Sequence, residues 1–290
     1  MTTTETPSKR TLLDRSRPTR ELVPEKAAPP TTRSYWATLM VIGVIGGILS
    51  GLFAIGGAIL MVPLLVWRAG MDQRRAAATS LVAITPTAIV SSLTYLAHGD
   101  VNVVVAAVVA AGAVAGALLG SRLLHRLPLA WLRWMFIAFV LVVAAHMLLV
   151  APERSHVLVL TPLVVLGYLG LGVLTGVASG LFGIGGAIVA IPILVSVFAI
   201  SDLVAKGTAL VVGIPTSVVG TISNRRSDAV DIRAGLILGV TAAAVSVPAV
   251  TLAVAIPARV SGIMFAVLLI AIATQLAIKA LRAGRSEHHE

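Results

Sequence analysis

The chain has 290 residues, 58% of them apolar and only 12% charged, with a mean hydropathy of +1.00. Soluble domains are about 45–50% apolar and about 25% charged, so lipid is the solvent for most of this chain. It has no cysteine, which excludes disulfides, thiol nucleophiles and Cys-based zinc sites, and its formal net charge of +10 makes the placement of the few charges informative.

Residues 1–34 are rich in Ser, Thr, Pro and Arg and carry Lys9, Arg10, Arg15, Arg17, Arg20, Lys26 and Arg33. This composition cannot bury enough apolar surface to order itself and predicts a disordered, basic, cytoplasmic tail. Polar residues fill this segment ahead of the first apolar stretch, unlike a cleavable leader. The tail has no interleaved aromatics, so nucleic acid is not an expected partner.

An apolar stretch at 35–67 follows. As one helix it would run about 48 Å, too long for one crossing of a roughly 30 Å core and short for two. Its Gly-, Ser- and Pro-rich centre predicts a broken helix or a tight helical hairpin. Spans of ordinary length are expected at 76–97, 101–121 and 134–150, then a connecting loop at 151–157. A second long stretch, 157–200, precedes spans at 207–223, 234–254 and 260–278, and residues 283–290 form a short tail.

The two halves are copies at an offset of 129. Ser50-Gly51-Leu52-Phe53-Ala54-Ile55-Gly56-Gly57-Ala58-Ile59 recurs as Ser179-Gly180-Leu181-Phe182-Gly183-Ile184-Gly185-Gly186-Ala187-Ile188. The same offset relates Pro63 to Pro192, Thr79 to Thr208, Pro86-Thr87 to Pro215-Thr216 and Pro128 to Pro257. These matches define two transmembrane repeats, 35–150 and 158–282.

Charge orients them. If each long stretch returns to the side it entered, 19 basic residues lie on the side of the tail and three (Arg154, Lys206, Arg259) on the other. Every basic loop of one half then matches a base-poor loop of the other. The expected fold is therefore an all-α polytopic membrane protein of two inverted-topology repeats with Gly/Pro-broken helices. It has about ten short helices or crossings (eight by a conventional count) and both termini in the cytoplasm. Trp36, Trp67, Trp131 and Trp134 fall beside the expected cytoplasmic faces, as interface anchors do.

Inverted repeats with interrupted helices typify secondary transporters, whose site lies near the midplane between the halves. The Gly-rich interruptions are the first candidate site: Ser50, Gly51, Gly56 and Gly57 in one half, Ser179, Gly180, Gly183, Gly185 and Gly186 in the other. A helix that starts after such a break turns bare N–H groups and a positive dipole end toward a ligand, which suits an anion. The same small residues would also serve helix packing. Thr79, Ser80 and Thr208, near the starts of their spans, and Lys206, beside Gly207, are the second candidates. The six acids outside the two tails (Asp72, Asp100, Glu153, Asp202, Asp228, Asp231) all map to loops, which disfavours a cation pump. No metal or cofactor motif is present. A serine hydrolase using Ser50 or Ser179 with His146, and a scaffold acting through its tail, are the rival readings.

The paired motifs at Ser50–Leu65 and Ser179–Leu194, with Ala78-Thr79-Ser80-Leu81 and Gly207-Thr208-Ala209-Leu210 beyond them, resemble the sulfite exporter TauE/SafE family over about 35–282. That resemblance implies a bacterial inner-membrane permease, not an enzyme, for a small sulfur-containing anion such as sulfite, a sulfonate or thiosulfate. Its expected partners are that anion and the lipid bilayer; a homo-oligomer stays open, and no cofactor is implied.

Overall fold

A computed structural model describes residues 33–71, 73–123, 161–182, 185–225 and 230–286, with isolated helical residues between 134 and 145. The described residues form helices α1 (Arg33–Phe53), α2 (Ala58–Arg68), α3 (Gln73–Ala97), α4 (Val103–Leu123), α5 (Pro162–Phe182), α6 (Ala187–Ser196), α7 (Asp202–Arg225), α8 (Ile232–Ala255) and α9 (Ala258–Ser286). Helices α1 to α4 start 129 residues before α5 to α8, so the duplication is structural as well as sequential. Seven of these helices are long and apolar enough to cross a membrane, and the protein is an all-α polytopic membrane protein.

The two short helices explain the over-long apolar stretches. With 11 and 10 residues, α2 and α6 rise about 16 Å and 15 Å, half of a lipid core. Gly57, at the start of α2, lies against Gly46 of α1: a Cβ there would be 2.6 Å from the Gly46 carbonyl oxygen. Met61 packs on the same Gly46, and Met61 and Leu65 join Tyr35 and Leu39 in one buried cluster. The half-helix α2 therefore runs back along α1 to the side where α1 began. In the second half Gly186 lies in the same way against Thr175 of α5, which stands where the first half has Gly46.

Packing between the halves fixes their relative orientation. On α1, Gly43, Gly47 and Gly51 meet Leu238, Ala242 and Ser246 of α8 in increasing order, so these two helices run parallel. On α4, Gly112, Gly116 and Gly120 meet Leu169, Val173 and Val177 of α5, again in parallel. Within the first half, α4 is antiparallel to α3 across the short turn at 98–102, and α3 follows a returning hairpin, so α4 opposes α1. Its copy α8 runs with α1. The halves are thus inserted upside down relative to each other, and small residues let their backbones approach closely.

Matching hydrogen bonds pin the seam at its two ends. The Thr79 hydroxyl accepts the backbone N–H of Asp231 at 3.2 Å, and the Thr208 hydroxyl accepts that of Asn102 at 3.1 Å. Asp231 and Asn102 also cap the first turns of α8 and α4, accepting from Ala234 and Val105. Asp231 alone adds an ion pair, with Arg75 at 2.9 Å. Asp231→Asn should keep the cap and cost under about 1 kcal/mol, as partly exposed pairs do. Asp231→Ala should cost about 1–2 kcal/mol, because the cap is lost too. Thermal unfolding in detergent tests the order.

Candidate functional site

Both half-helices start inside the protein from left-handed backbone. Gly57 has φ +70° and Gly186 φ +64°, preceded by Gly56 at +67° and Gly185 at +78°. Only glycine adopts successive left-handed conformations without a Cβ penalty, which is why each break carries the pair. Ala54 is left-handed as well, at φ +58°; its copy Gly183 lies outside the described residues. Neither Gly57 nor Gly186 caps its helix with a side chain. On α6 the Ala187 and Val189 N–H groups bond back to the Gly185 and Gly186 carbonyls, and the first turns of both half-helices set their positive dipole ends within the membrane-spanning core.

The breaks are brought together. Ile84, in the middle of α3 and 1% exposed, lies 3.3 Å from the position of a Cβ on Gly56 and 3.4 Å from that of a Cβ on Gly185. One side chain thus separates the two half-helix starts. At the matching place on α7 the chain has Gly213, and a Cβ there would meet nothing within 4 Å among the described residues. A bulky side chain at one position and a glycine at its copy make the centre asymmetric. Beside it, Thr85 and Ser217 bridge α3 and α7 by a 2.9 Å hydrogen bond.

Unsatisfied hydroxyls line the breaks. Ser50 Oγ, on the last turn of α1, and Thr175 Oγ1, on the residue whose methyl lies against Gly186, are buried with no hydrogen-bond partner among the described residues. A buried hydroxyl without a partner costs about 1–3 kcal/mol, a cost that a bound acceptor would remove. Ser179 is 4% exposed, and its Cβ lies 3.5 Å from the position of one on Gly186.

The other candidates have different surroundings. Gly51 packs against α8, where a Cβ would sit 2.5 Å from Ala249 Cβ, and its carbonyl accepts the Tyr95 hydroxyl at 2.8 Å. Gly180 continues the i, i+4 register of Gly172 and Gly176, both of which pack against α4. Thr79 and Thr208 hold the seam, and Ser80 donates to the Ala77 carbonyl of its own helix. His146, the base of the hydrolase reading, lies outside the described residues.

Asp202 and Lys206 correct the charge map. Asp202, placed in a loop by the sequence, opens α7 at 2% exposure, and Lys206 is fully buried one turn later. Their side chains pair at 2.9 Å, and Ser261 of α9 bonds both. Hydropathy starts this span at 207 because two charges interrupt the apolar run. Their i, i+4 spacing, which lets a helix neutralise them internally, was the available signal. Thr175 was missed for a simpler reason: its copy is Gly46, so it breaks the repeat rather than joining it.

The profile of the sulfite exporter TauE/SafE family matches residues 9–147 and 168–290. Neither curated proteins nor solved structures give a match. With most of each repeat and both glycine breaks inside the matched ranges, the chain belongs to the sulfite exporter TauE/SafE family of membrane transporters.

Proposed function

We propose that this protein is a secondary transporter for a small sulfur oxyanion, sulfite or an organosulfonate, held between the starts of α2 and α6. One observation carries the reading: two half-helix N-termini, each opened by left-handed glycines, approach the same Ile84 side chain from opposite halves. Their dipole ends favour negative charge, and the unpartnered hydroxyls of Ser50 and Thr175 offer donors. The inverted halves supply the alternation, as one rocks against the other around a central site.

Protein in liposomes should exchange labelled sulfite above the rate of protein-free vesicles. Ser179→Leu, which crowds the second break, should lower exchange at least tenfold while the protein still elutes as a folded species. Thr175→Val, which removes one donor at nearly constant volume, should lower it several-fold. Unchanged exchange in both variants would sink the assignment to the breaks.

A further inference from the structure

The most unusual group in the fold is the buried ion pair at the start of α7. Its side chains are 0% exposed at Lys206 and 1% at Asp202, within a helix that spans the membrane. The first half has no counterpart: Gln73 and Ala77 stand at the matching positions. A structural staple demanded by the fold would be expected in both copies. Breaking a buried pair by removing one partner is costly, yet replacing both with apolar groups is often neutral or stabilising, so stability alone gives little reason to keep it.

Its hydrogen bonding is incomplete in one place. Asp202 Oδ2 receives both Lys206 Nζ and the Ser261 hydroxyl, whereas Oδ1 is buried with no partner among the described residues. Lys206 Nζ lies 5.9 Å from the centre of the Phe53 ring, and Phe53 is the last residue of α1 before the first break. Tyr95 binds the Gly51 carbonyl in the same turn of α1. The ion pair therefore abuts the segment that leads into the proposed anion site.

We propose that Asp202 is a proton-binding site coupled to the anion, with Lys206 as the exchangeable partner of both. This rests on the transport reading above. In the resting pair Asp202 neutralises Lys206. When a proton bonds to Asp202 Oδ1 the carboxyl becomes neutral, and the Lys206 ammonium is left to pair with an entering anion. One proton and one negative charge enter together, so the buried charge stays balanced; they leave together when the pair re-forms. By linkage, the anion favours the proton as much as the proton favours the anion. Lys206 on α7 pairs with Asp202 directly, and Tyr95 on α3 lies within reach of the charges of Asp202 and of Asp100 in the α3–α4 turn. From α9 comes Ser261, from α1 Phe53, which carries no charge, and Arg259 is exposed. Asp202 is thus the carboxylate in direct contact with Lys206.

The test is labelled sulfite in proteoliposomes with the voltage clamped and protein-free vesicles subtracted. For one proton per anion, an inward gradient of one pH unit should drive up to about tenfold accumulation in the wild type. Asp202→Asn should lose that accumulation while still exchanging sulfite above the rate of protein-free vesicles, and Asp202→Glu should restore the response. Passive entry, or carriage of an already protonated anion, would persist in Asp202→Asn, and accumulation at the wild-type level there overturns the proposal. If Asp202→Asn fails to fold, Asp202→Asn with Lys206→Gln leaves no lone buried charge, and it too should show no pH-driven accumulation; wild-type accumulation in it overturns the proposal. Wild-type exchange that ignores the pH gradient refutes the coupling and leaves the transport reading standing. No wild-type exchange at all removes the transport reading, and the coupling with it.

Discussion

Gly176→Ala should destabilise the protein by about 3 kcal/mol, whereas Gly170→Ala, less than two turns earlier on α5, should stabilise it by up to about 1 kcal/mol. The chemical change is the same, and intrinsic helix propensity favours alanine at both positions. What differs is the face. A Cβ on Gly176 would fall on the Ala113 carbonyl oxygen and 2.7 Å from the Ala117 amide nitrogen of α4, both backbone atoms that no rotamer change can move. On Gly170 it would meet nothing within 4 Å among the described residues. Overpacking normally costs about 1–3 kcal/mol, and a clash with backbone lies at the upper end because the helices themselves must separate. In lipid no hydrophobic drive rejoins them; close backbone packing is itself the attraction. Thermal unfolding of the two variants in the same detergent gives the comparison. Equal stability would mean that α4 and α5 do not depend on this contact.

The same contact marks the limit of what the sequence can disclose. The duplication, the excess length of 35–67 and 157–200 and the asymmetry of charge are local or periodic features, readable without coordinates. The glycine ladders at 43, 47 and 51 and at 112, 116 and 120 are visible as spacings, but their partners are not. That α1 lies on α8, nearly two hundred residues later, follows from inverting one copy and packing it on the other, which no spacing records. The centre was hidden for a related reason. Ile84 and Gly213 occupy matching positions, yet nothing in an apolar run distinguishes the isoleucine that separates two helix breaks from one facing lipid. Thr79 and Thr208 stand out in the sequence because hydroxyls recur there. The structure uses them to hold the capping residues of the opposite half, a role that needs the same recurrence. The Asp202–Lys206 pair was obscured because a hydropathy window counts charges and cannot see that two of them cancel.

Gly186→Ala should remove transport and cost about 3 kcal/mol, and its comparison with Gly70→Ala separates two reasons for the glycine. Both residues are left-handed, at φ +64° and +63°. At Gly70 a Cβ would meet nothing within 4 Å among the described residues, so that variant reports the backbone penalty, about 1–2 kcal/mol. At Gly186 a Cβ would also stand 2.6 Å from Thr175 Cγ2 and 2.9 Å from the Thr175 carbonyl oxygen. The methyl could turn away; the carbonyl, fixed in α5, could not. The start of α6 would then have to move off α5, carrying its positive dipole end away from Ile84 and from the other break. Adding Thr175→Ala to Gly186→Ala should therefore recover part of the stability, through the methyl, while leaving exchange at least tenfold below wild type, through the carbonyl. Sulfite exchange and thermal unfolding, measured on the three variants together, decide it. If Gly186→Ala behaves like Gly70→Ala in both measurements, the break is not held by its approach to α5, and placing the anion there loses its footing.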